Sequence, residues 1–292
     1  MSSVYKKFSL ILFGGMVDKY IDSFKPLEPH IKNANMKVLL KTWISMLFFS
    51  TTLAFVISLV SIYVLLTYLI QVEFYIYIFS IIFFPVFVAS IVFIIFYLYP
   101  VEREKSRQKS IENNLPFAIT HMAAISSSGI PTEFMFELLT GFEEYGEITQ
   151  DSKLIMRNIK TFGMSSVDAI KDVADRTPSQ GFRELLLGIV STTESGGDII
   201  EYLRGMSDRS LFDYRIKREK YLKTLSTYAD IYTALLVAAP LMMLSMLATM
   251  SIIGGSVMGF TIDEIIMLIT WVMLPVFNVA FLVFIHMTYP GV

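Results

Sequence analysis

Four long stretches of the chain contain no Asp, Glu, Lys or Arg, and they form two pairs. They cover residues 42–72, 74–101, 231–262 and 265–292. A helix of about 20 apolar residues crosses the hydrocarbon core of a bilayer. Backbone groups in lipid must be hydrogen-bonded internally, which favours helices. The pattern predicts four transmembrane helices in two hairpins, with turns at Glu73 and at Asp263-Glu264.

Residues 102–230 lie between the two hairpins and show apolar positions at helical spacing, with no convincing strand alternation. The predicted fold class is therefore all-α, with a bundle of about six helices between the hairpins. Four segments are expected: a cytoplasmic N-terminal segment, a first hairpin, a cytoplasmic helical domain and a second hairpin. They correspond to residues 1–41, 42–101, 102–230 and 231–292.

Two structural turns are predicted in the helical domain, because Gly and Pro interrupt the helical pattern there. Gly129 ends one helix and Pro131 opens the next. Gly196 and Gly197 form a tight turn before a long helix, which Asp198 caps.

Other helix boundaries follow from the same signals. One helix is expected to end near Asn113 and another to begin at Pro116. Later helices are expected to begin at Thr149 or Asp151, at Ser165 or Ser166, and at Pro178-Ser179. Near the start of the chain, the apolar run 8–17 is too short for a span and lacks a cleavage site. It predicts an amphipathic helix against the membrane, with a flexible tail as the alternative.

The composition and motifs argue against catalysis. The chain has 54% apolar residues, a mean hydropathy of +0.59 and no Cys, which excludes disulfides and thiolate sites. Its three histidines, His30, His121 and His286, are far apart, so neither a metal nor another cofactor is expected. No phosphate-binding loop occurs, and nothing in the chain suggests nucleic-acid binding.

A membrane peptidase is also disfavoured. Residues 195–198 resemble the GxGD motif of intramembrane aspartic proteases, but Ser195 replaces the first Gly. The four predicted spans contain no carboxylate, so the required aspartate pair is missing. We therefore predict no catalytic residue.

Basic residues predict the orientation in the membrane. All 24 Lys and Arg lie in residues 1–41 and 101–223, and none lies in the hairpin turns. Under the positive-inside rule, both termini and the central domain are cytoplasmic in a multi-pass cell-membrane protein. Two membrane-proximal basic clusters are expected to face anionic lipid head groups. They are Arg103, Lys105, Arg107, Lys109 and Arg215, Lys217, Arg218, Lys220, Lys223.

Acidic residues dominate the middle of the helical domain, where residues 110–200 hold thirteen acidic and six basic side chains. One interpretation is an ordinary solvated face. The other is a docking surface for a basic cytoplasmic partner at the end distal from the membrane. Its candidate residues are Glu133, Glu137, Glu143, Glu144, Glu147 and Asp151.

Three motifs in this order resemble the type II secretion F domain. Residues 115–131, with Leu115-Pro116 and Ser128-Gly129-Ile130-Pro131, resemble the opening of that domain's helical hairpin. Residues 178–189 resemble its middle helix, and residues 193–199 resemble the segment before its long helix. The resemblance covers about residues 100–290 and is closest in style to the archaeal branch.

The resemblance implies a non-catalytic platform protein of type II secretion systems, type IV pili, Tad pili or the archaellum. Its implied partners are a hexameric secretion ATPase, pilin subunits and membrane lipids. Many members carry two copies of the domain and this chain has one, which implies a homodimer, a pair with a second platform protein, or half of a longer ancestor. The alternative function is a permease subunit of an ATPase-driven transporter. A permease would also lack catalytic motifs, although it needs a polar translocation path.

Overall fold

The computed structural model describes residues 3–69, 73–254, 256–257 and 259–288. These residues are almost entirely helical, which confirms the predicted all-α class. Contacts divide the chain into two compact units, Met1–Ser210 and Leu211–Val292. The boundary therefore lies within the predicted helical domain. The two units are described separately.

Unit 1 begins with the helices of the N-terminal segment and of the first hairpin. They are α1 (Ser3–Tyr20), a 3-10 turn (Ile21–Phe24), α2 (Leu27–Asn33), α3 (Leu40–Val64) with a π-helical turn (Leu65–Leu69), and α4 (Phe74–Ser126). Helix α1 runs antiparallel to α3, because the Tyr5 hydroxyl lies 2.5 Å from the Ser50 hydroxyl while Lys41 pairs with Asp18. The N-terminal apolar run is thus helical and packed, and its place relative to lipid stays a prediction.

Helix α4 corrects the predicted break between Asn113 and Pro116. It continues for 53 residues with Pro85, Pro100 and Pro116 inside it. Proline removes one backbone hydrogen bond, but buried apolar residues on both sides of Pro116 enter one core. Ile111 and Ile119 are fully buried and flank the proline. Tertiary packing therefore holds the helix together where the local signal predicted an end.

The helical domain within unit 1 packs around α4. Its further helices are α5 (Thr132–Leu139), a 3-10 turn (Glu143–Tyr145), α6 (Glu147–Phe162), α7 (Ser166–Ala174), α8 (Gln180–Glu194) and α9 (Ile199–Tyr232). Helix α9 continues into unit 2. One core joins these helices, with Met122, Phe136, Ile155, Phe182 and Leu203 among its buried members.

The first residues of the helices test the predicted helix starts. Ser165 and Ser179 cap α7 and α8, accepting hydrogen bonds from the backbone N–H groups of Asp168 and Phe182. The prediction for α6 was wrong, because α6 begins at Glu147 after Gly146 rather than at Thr149 or Asp151. Gly146 has φ +57°, and a Cβ there would lie 2.7 Å from the Ser110 hydroxyl, so only glycine permits this close approach to α4.

Unit 2 contains the end of α9 and the second hairpin. A π-helical segment (Thr233–Ala238) precedes α10 (Ala239–Ile253). A short antiparallel pair, β1 (Ser256–Val257) and β2 (Phe260–Thr261), leads to α11 (Ile262–Leu268), a second π-helical segment (Ile269–Met273) and α12 (Leu274–Thr288).

The structure confirms four helices long and apolar enough to cross a membrane. Their bounds are Leu40–Tyr68, Tyr77–Ser126, Ile199–Ile252 and Ile262–Thr288. The chain is therefore a multi-pass membrane protein. Two of these helices extend far beyond the apolar spans and also form part of the polar domain.

Candidate functional site: acidic face and buried charged cluster

The exposed acidic residues lie on α5 and on the turn before α6. Glu133, Glu143 and Glu144 are exposed. Glu137 is partly exposed and accepts a hydrogen bond from the Lys160 ammonium at 2.6 Å. The exposure of these four residues therefore agrees with both interpretations, a solvated face and a docking surface.

Two members of the predicted docking surface need correction. Asp151 is completely buried, and the side chain of Glu147 is only 16% exposed. Both carboxylates pair with arginines of α4, which were predicted to lie near the membrane. They therefore do not belong to a docking surface at the distal end of the domain. The Glu147 carboxylate accepts a hydrogen bond from Arg103 at 2.8 Å.

Arg107 is the centre of this charged cluster, which consists of Arg103, Arg107, Glu147 and Asp151. Its predicted position facing lipid head groups is wrong, because its side chain is 1% exposed. Nη2 donates to the Asp151 carboxylate, and Nη1 donates to the carbonyl oxygens of Asn33 and, at 3.0 Å, of Arg176. Nε lies 3.4 Å from Oε2 of Glu147. Four segments of unit 1 thus meet at one guanidinium.

The electrostatics of the charged cluster are incompletely balanced. Burial raises the pKa of Asp151 to about 6, although the positive charge of Arg107 opposes the rise. Within the described residues, Oδ2 of Asp151 and Nε of Arg107 are buried without a hydrogen-bond partner. Buried charges are costly unless geometry and hydrogen bonds compensate them. The hydrogen bonds and ion pairs that Arg107 does make therefore have to offset the cost of burying these charges.

A signal for this burial was present in the sequence. On α6, Asp151 lies three residues after buried Ile148 and four before buried Ile155. On α4, Arg107 lies four residues before buried Ile111. Spacings of three and four residues share one helix face. The spacing of the apolar residues thus indicated that Asp151 and Arg107 are buried, whereas the charge pattern alone predicted exposed positions.

A second contact joins α2 to α4, one turn from Arg107. The Glu104 carboxylate bonds to the His30 ring, and it accepts a hydrogen bond from the Asn33 amide at 2.8 Å. Asn33 therefore contacts both Glu104 and Arg107, the first through its side chain and the second through its carbonyl oxygen.

Apolar side chains accompany the exposed acidic residues. Phe134 and Leu138 of α5 are 52% and 45% exposed. They are four residues apart and share a helix face, beside Glu133 and Glu137 with the same spacing. Large exposed apolar side chains next to charges are typical of protein interaction surfaces.

The predicted turns have the following geometry. Gly129 has φ +71°, and Pro131 immediately precedes α5. Gly196 has φ +68°, whereas the φ of Gly197 lies outside the left-handed region. Oδ1 of Asp198 accepts hydrogen bonds from the backbone N–H groups of Ile200 at 2.8 Å and Glu201 at 3.2 Å, an N-terminal cap of α9.

Gly188 is a structural residue that the sequence reading missed. Tyr202 of α9 lies across it, and its hydroxyl donates to the carbonyl oxygens of Glu184 and Leu185 at 3.2 and 3.3 Å. A Cβ on Gly188 would lie 1.9 Å from that hydroxyl oxygen. The glycine therefore permits the close approach of α9 to α8. Nothing local to the sequence marks it, because its role depends on a residue on another helix.

The other residues of the two predicted basic clusters are exposed. Lys105 and Lys109 lie on the outer side of α4. In unit 2, the part of α9 assigned to that unit carries the exposed residues Arg215, Lys217, Arg218, Lys220 and Lys223. Their contact with lipid head groups stays a prediction. Among the described residues, no group of three or more His, Asp or Glu is placed to hold a metal ion.

Part of the chain is similar to known proteins. Residues 118–247 match the family described as Type II secretion system (T2SS), protein F. The chain is 26% identical to flagella accessory protein J of Methanococcus voltae over 137 residues, 47% of this chain and 25% of that protein. The protein of the same name in Methanocaldococcus jannaschii gives 26% identity over 137 residues, 47% of this chain and 24% of the relative.

A third relative, an uncharacterized protein of Methanocaldococcus jannaschii, is 25% identical over 142 residues, 49% of this chain and 24% of that protein. The matched part therefore spans about a quarter of each relative's length. No solved structure matches the chain significantly. The family match begins in α4, includes α5 to α9 and ends in α10. Residues 118–247 of this multi-pass membrane protein are therefore similar to the type II secretion system protein F family.

Proposed function

We propose that the chain is a membrane platform on which a type IV pilus-like or archaellum-like filament is assembled. It couples a cytoplasmic secretion ATPase to the insertion of pilin subunits and has no catalytic activity of its own. The observation that carries this proposal is the match to the protein F family, which begins on the helix of one membrane hairpin and ends on the helix of another. The similarity to two archaeal flagella accessory proteins favours the archaeal filament class.

In this proposal both termini and the helical domain are cytoplasmic, since every Lys and Arg lies in those segments. The absence of Cys makes the topology directly testable. A cysteine at Glu73 should react with an impermeant reagent outside intact cells, and one at exposed Ser195 should react only after lysis. Labelling of Ser195→Cys in intact cells would contradict the orientation.

The chain is expected to act as a pair of domains. The matched lengths make each relative about twice as long as this chain of 292 residues. Two copies of the chain, or one copy with a second platform protein, would supply an equivalent length of protein. We therefore propose a homodimer or such a heterodimer as the working unit.

The ATPase is proposed to bind a docking face formed by Glu133, Phe134, Leu138, Glu143 and Glu144. All five side chains are exposed. Glu137 is left out of this face because its carboxylate already pairs with Lys160. A basic partner with apolar side chains is complementary to this face, since Phe134 and Leu138 would become buried beside paired charges. Glu147 and Asp151 are excluded because their carboxylates pair within the charged cluster.

Charge reversal tests the docking face. The triple variant Glu133→Lys/Glu143→Lys/Glu144→Lys should fold normally, since exposed substitutions change stability by about 0.5 kcal/mol or less. It should slow association with the ATPase by about tenfold or more at low salt and abolish filaments. Glu147 stays unchanged, because reversing it would break the charged cluster.

The matched control reverses three other exposed acidic residues, Glu112, Asp175 and Glu184. It changes the net charge equally and should leave binding near the parent value. Equal losses in both variants would attribute the effect to overall charge. Unchanged binding of the first variant would show that the docking face is only solvated.

A further inference from the structure

We propose that Arg107 couples the turn before α6 to helix α2 and thereby to the first membrane hairpin. This inference concerns a connection within unit 1. It rests on the proposed function only in naming the ATPase as the partner that would displace the turn. Four observations carry it, each from a different part of the contact chain.

The first link joins the turn to α4. The backbone of Gly146 packs against the Ser110 hydroxyl, which accepts a hydrogen bond from the Glu147 N–H at 3.4 Å. The Glu147 carboxylate pairs with Arg103 and Arg107. The exposed residues Glu143 and Glu144 lie directly before this anchored position, so displacement of the turn acts first on Glu147.

The second link is Arg107 itself. Its guanidinium binds α6 through Asp151 and binds the last residue of α2 through the Asn33 carbonyl oxygen. The planar, rigid guanidinium holds its hydrogen-bond partners in a fixed mutual geometry. A shift of α6 therefore changes the position of the donor that holds Asn33.

The third link fixes the end of α2 to α4 at a second point. Glu104 bonds to His30 and to the Asn33 amide, and it lies three residues from Arg107 on the same helix. Since Asn33 is shared by Glu104 and Arg107, the end of α2 cannot shift without disturbing both contacts. The two side chains thus form one polar attachment site.

The fourth link leads from α2 into the hairpin. Leu27 and Ile31 of α2 are buried against Trp43 and Met46 of α3. Trp43 also stacks on Tyr99 of α4, with ring centroids 5.6 Å apart. A change in the position of α2 therefore alters the packing around Trp43, at the beginning of the first span.

The incomplete hydrogen bonding of Arg107 and Asp151 favours a connection whose contacts can rearrange. Both carry a buried polar atom without a hydrogen-bond partner among the described residues. A partly satisfied polar network is less stable than a fully satisfied one, so a competing arrangement needs less free energy. A coupling claim still requires that a change at one end be measured at the other.

Trp43 provides the measurement. The chain has two tryptophans, so the Trp271→Phe background leaves Trp43, which is 2% exposed, as the sole fluorophore of its kind. In the purified protein, Arg107→Met should shift Trp43 emission to longer wavelength and increase its quenching by acrylamide. The same experiment with Glu147→Gln tests transmission, because the polar contacts of Glu147 are to Arg103, Arg107 and Ser110.

The variants form a double-mutant cycle. Glu147→Gln should shift Trp43 emission when Arg107 is present and add no further shift to Arg107→Met. Lys105→Gln is the matched control, because this exposed α4 residue pairs only with Glu102 at 3.4 Å among the described ion pairs. Its spectrum should equal that of the parent. Additive shifts of Glu147→Gln and Arg107→Met would overturn the proposed connection through Arg107.

A second variant covers loss of folding. Where Arg107→Met does not fold, Arg107→Met/Asp151→Leu removes both buried charges together and retains an apolar core. A shifted Trp43 spectrum in this folded variant supports the connection, and an unchanged spectrum overturns it. These measurements need no ATPase, so they are independent of the filament assays. If the wild-type protein does not bind the ATPase, that result would instead count against the proposed function.

Discussion

The two halves of the acidic run in the helical domain have the same chemistry and opposite environments. Glu143 and Glu144 are exposed, with Lys153 4.0 Å from Glu143. Glu147 and Asp151 follow within two helical turns, yet they pair with Arg103 and Arg107 against the core. The difference is set by helix register, because Asp151 falls on the same face as Ile148 and Ile155. Charge pattern alone does not separate a docking face from a buried ion pair.

The largest expected effect tests the buried half. Arg107→Met or Asp151→Leu alone removes the nearest counter-ion of a buried charge, so each should destabilise unit 1 by about 3–5 kcal/mol. The double variant Arg107→Met/Asp151→Leu should lose much less than the sum. Unfolding of the purified protein, followed by Trp43 fluorescence in the Trp271→Phe background, measures both.

The exposed ion pair between Lys153 and Glu143 is the control for this test. Lys153→Met/Glu143→Leu and its single variants should each remain within about 1 kcal/mol of the parent, since exposed ion pairs contribute little. A large loss in the exposed pair, or additive losses in the buried pair, would contradict the comparison.

Two helical glycines extend the comparison to a second residue type. Gly188→Ala places a Cβ against the Tyr202 ring and should cost about 1–3 kcal/mol, as overpacking does. Gly205 on α9 has no heavy atom within 4 Å of its ideal Cβ. Gly205→Ala should therefore stabilise by about 0.5–1 kcal/mol, because alanine favours helix. Equal effects of the two substitutions in thermal unfolding would contradict the close contact with Tyr202.

A pH dependence also separates the two environments. Asp151 has a pKa of about 6 in the folded protein and an ordinary value of 3.8, so the folded state binds its proton more tightly. Its contribution to stability is present below about pH 4 and lost as pH rises through about 6. Asp151→Asn should remove this decline from the melting temperature between pH 4 and 7.

The control for the pH experiment is Glu144→Gln, which removes an exposed carboxylate from the same region. Its melting temperature should follow that of the parent across the same pH range. A decline that persists in Asp151→Asn would assign the pH dependence to another group.

The sequence by itself determined the helical class and the four spans. Length and lack of charge are sufficient there, because lipid offers no hydrogen-bond partner and leaves helices as the solution. It also determined several helix starts. Ser165, Ser179 and Asp198 cap helices through bonds to backbone groups two or three residues away, and such local contacts depend little on the rest of the fold.

Only the tertiary structure decided the features that depend on distant residues. Pro116 stays inside α4 because residues on both sides of it share one core. Gly188 is required because Tyr202 crosses it from another helix. Arg107 is buried because α2, α6 and the turn at Arg176 converge on it. The apolar register of α4 and α6 indicated which side chains face inward, but only packing selected the partners that make a buried charge tolerable.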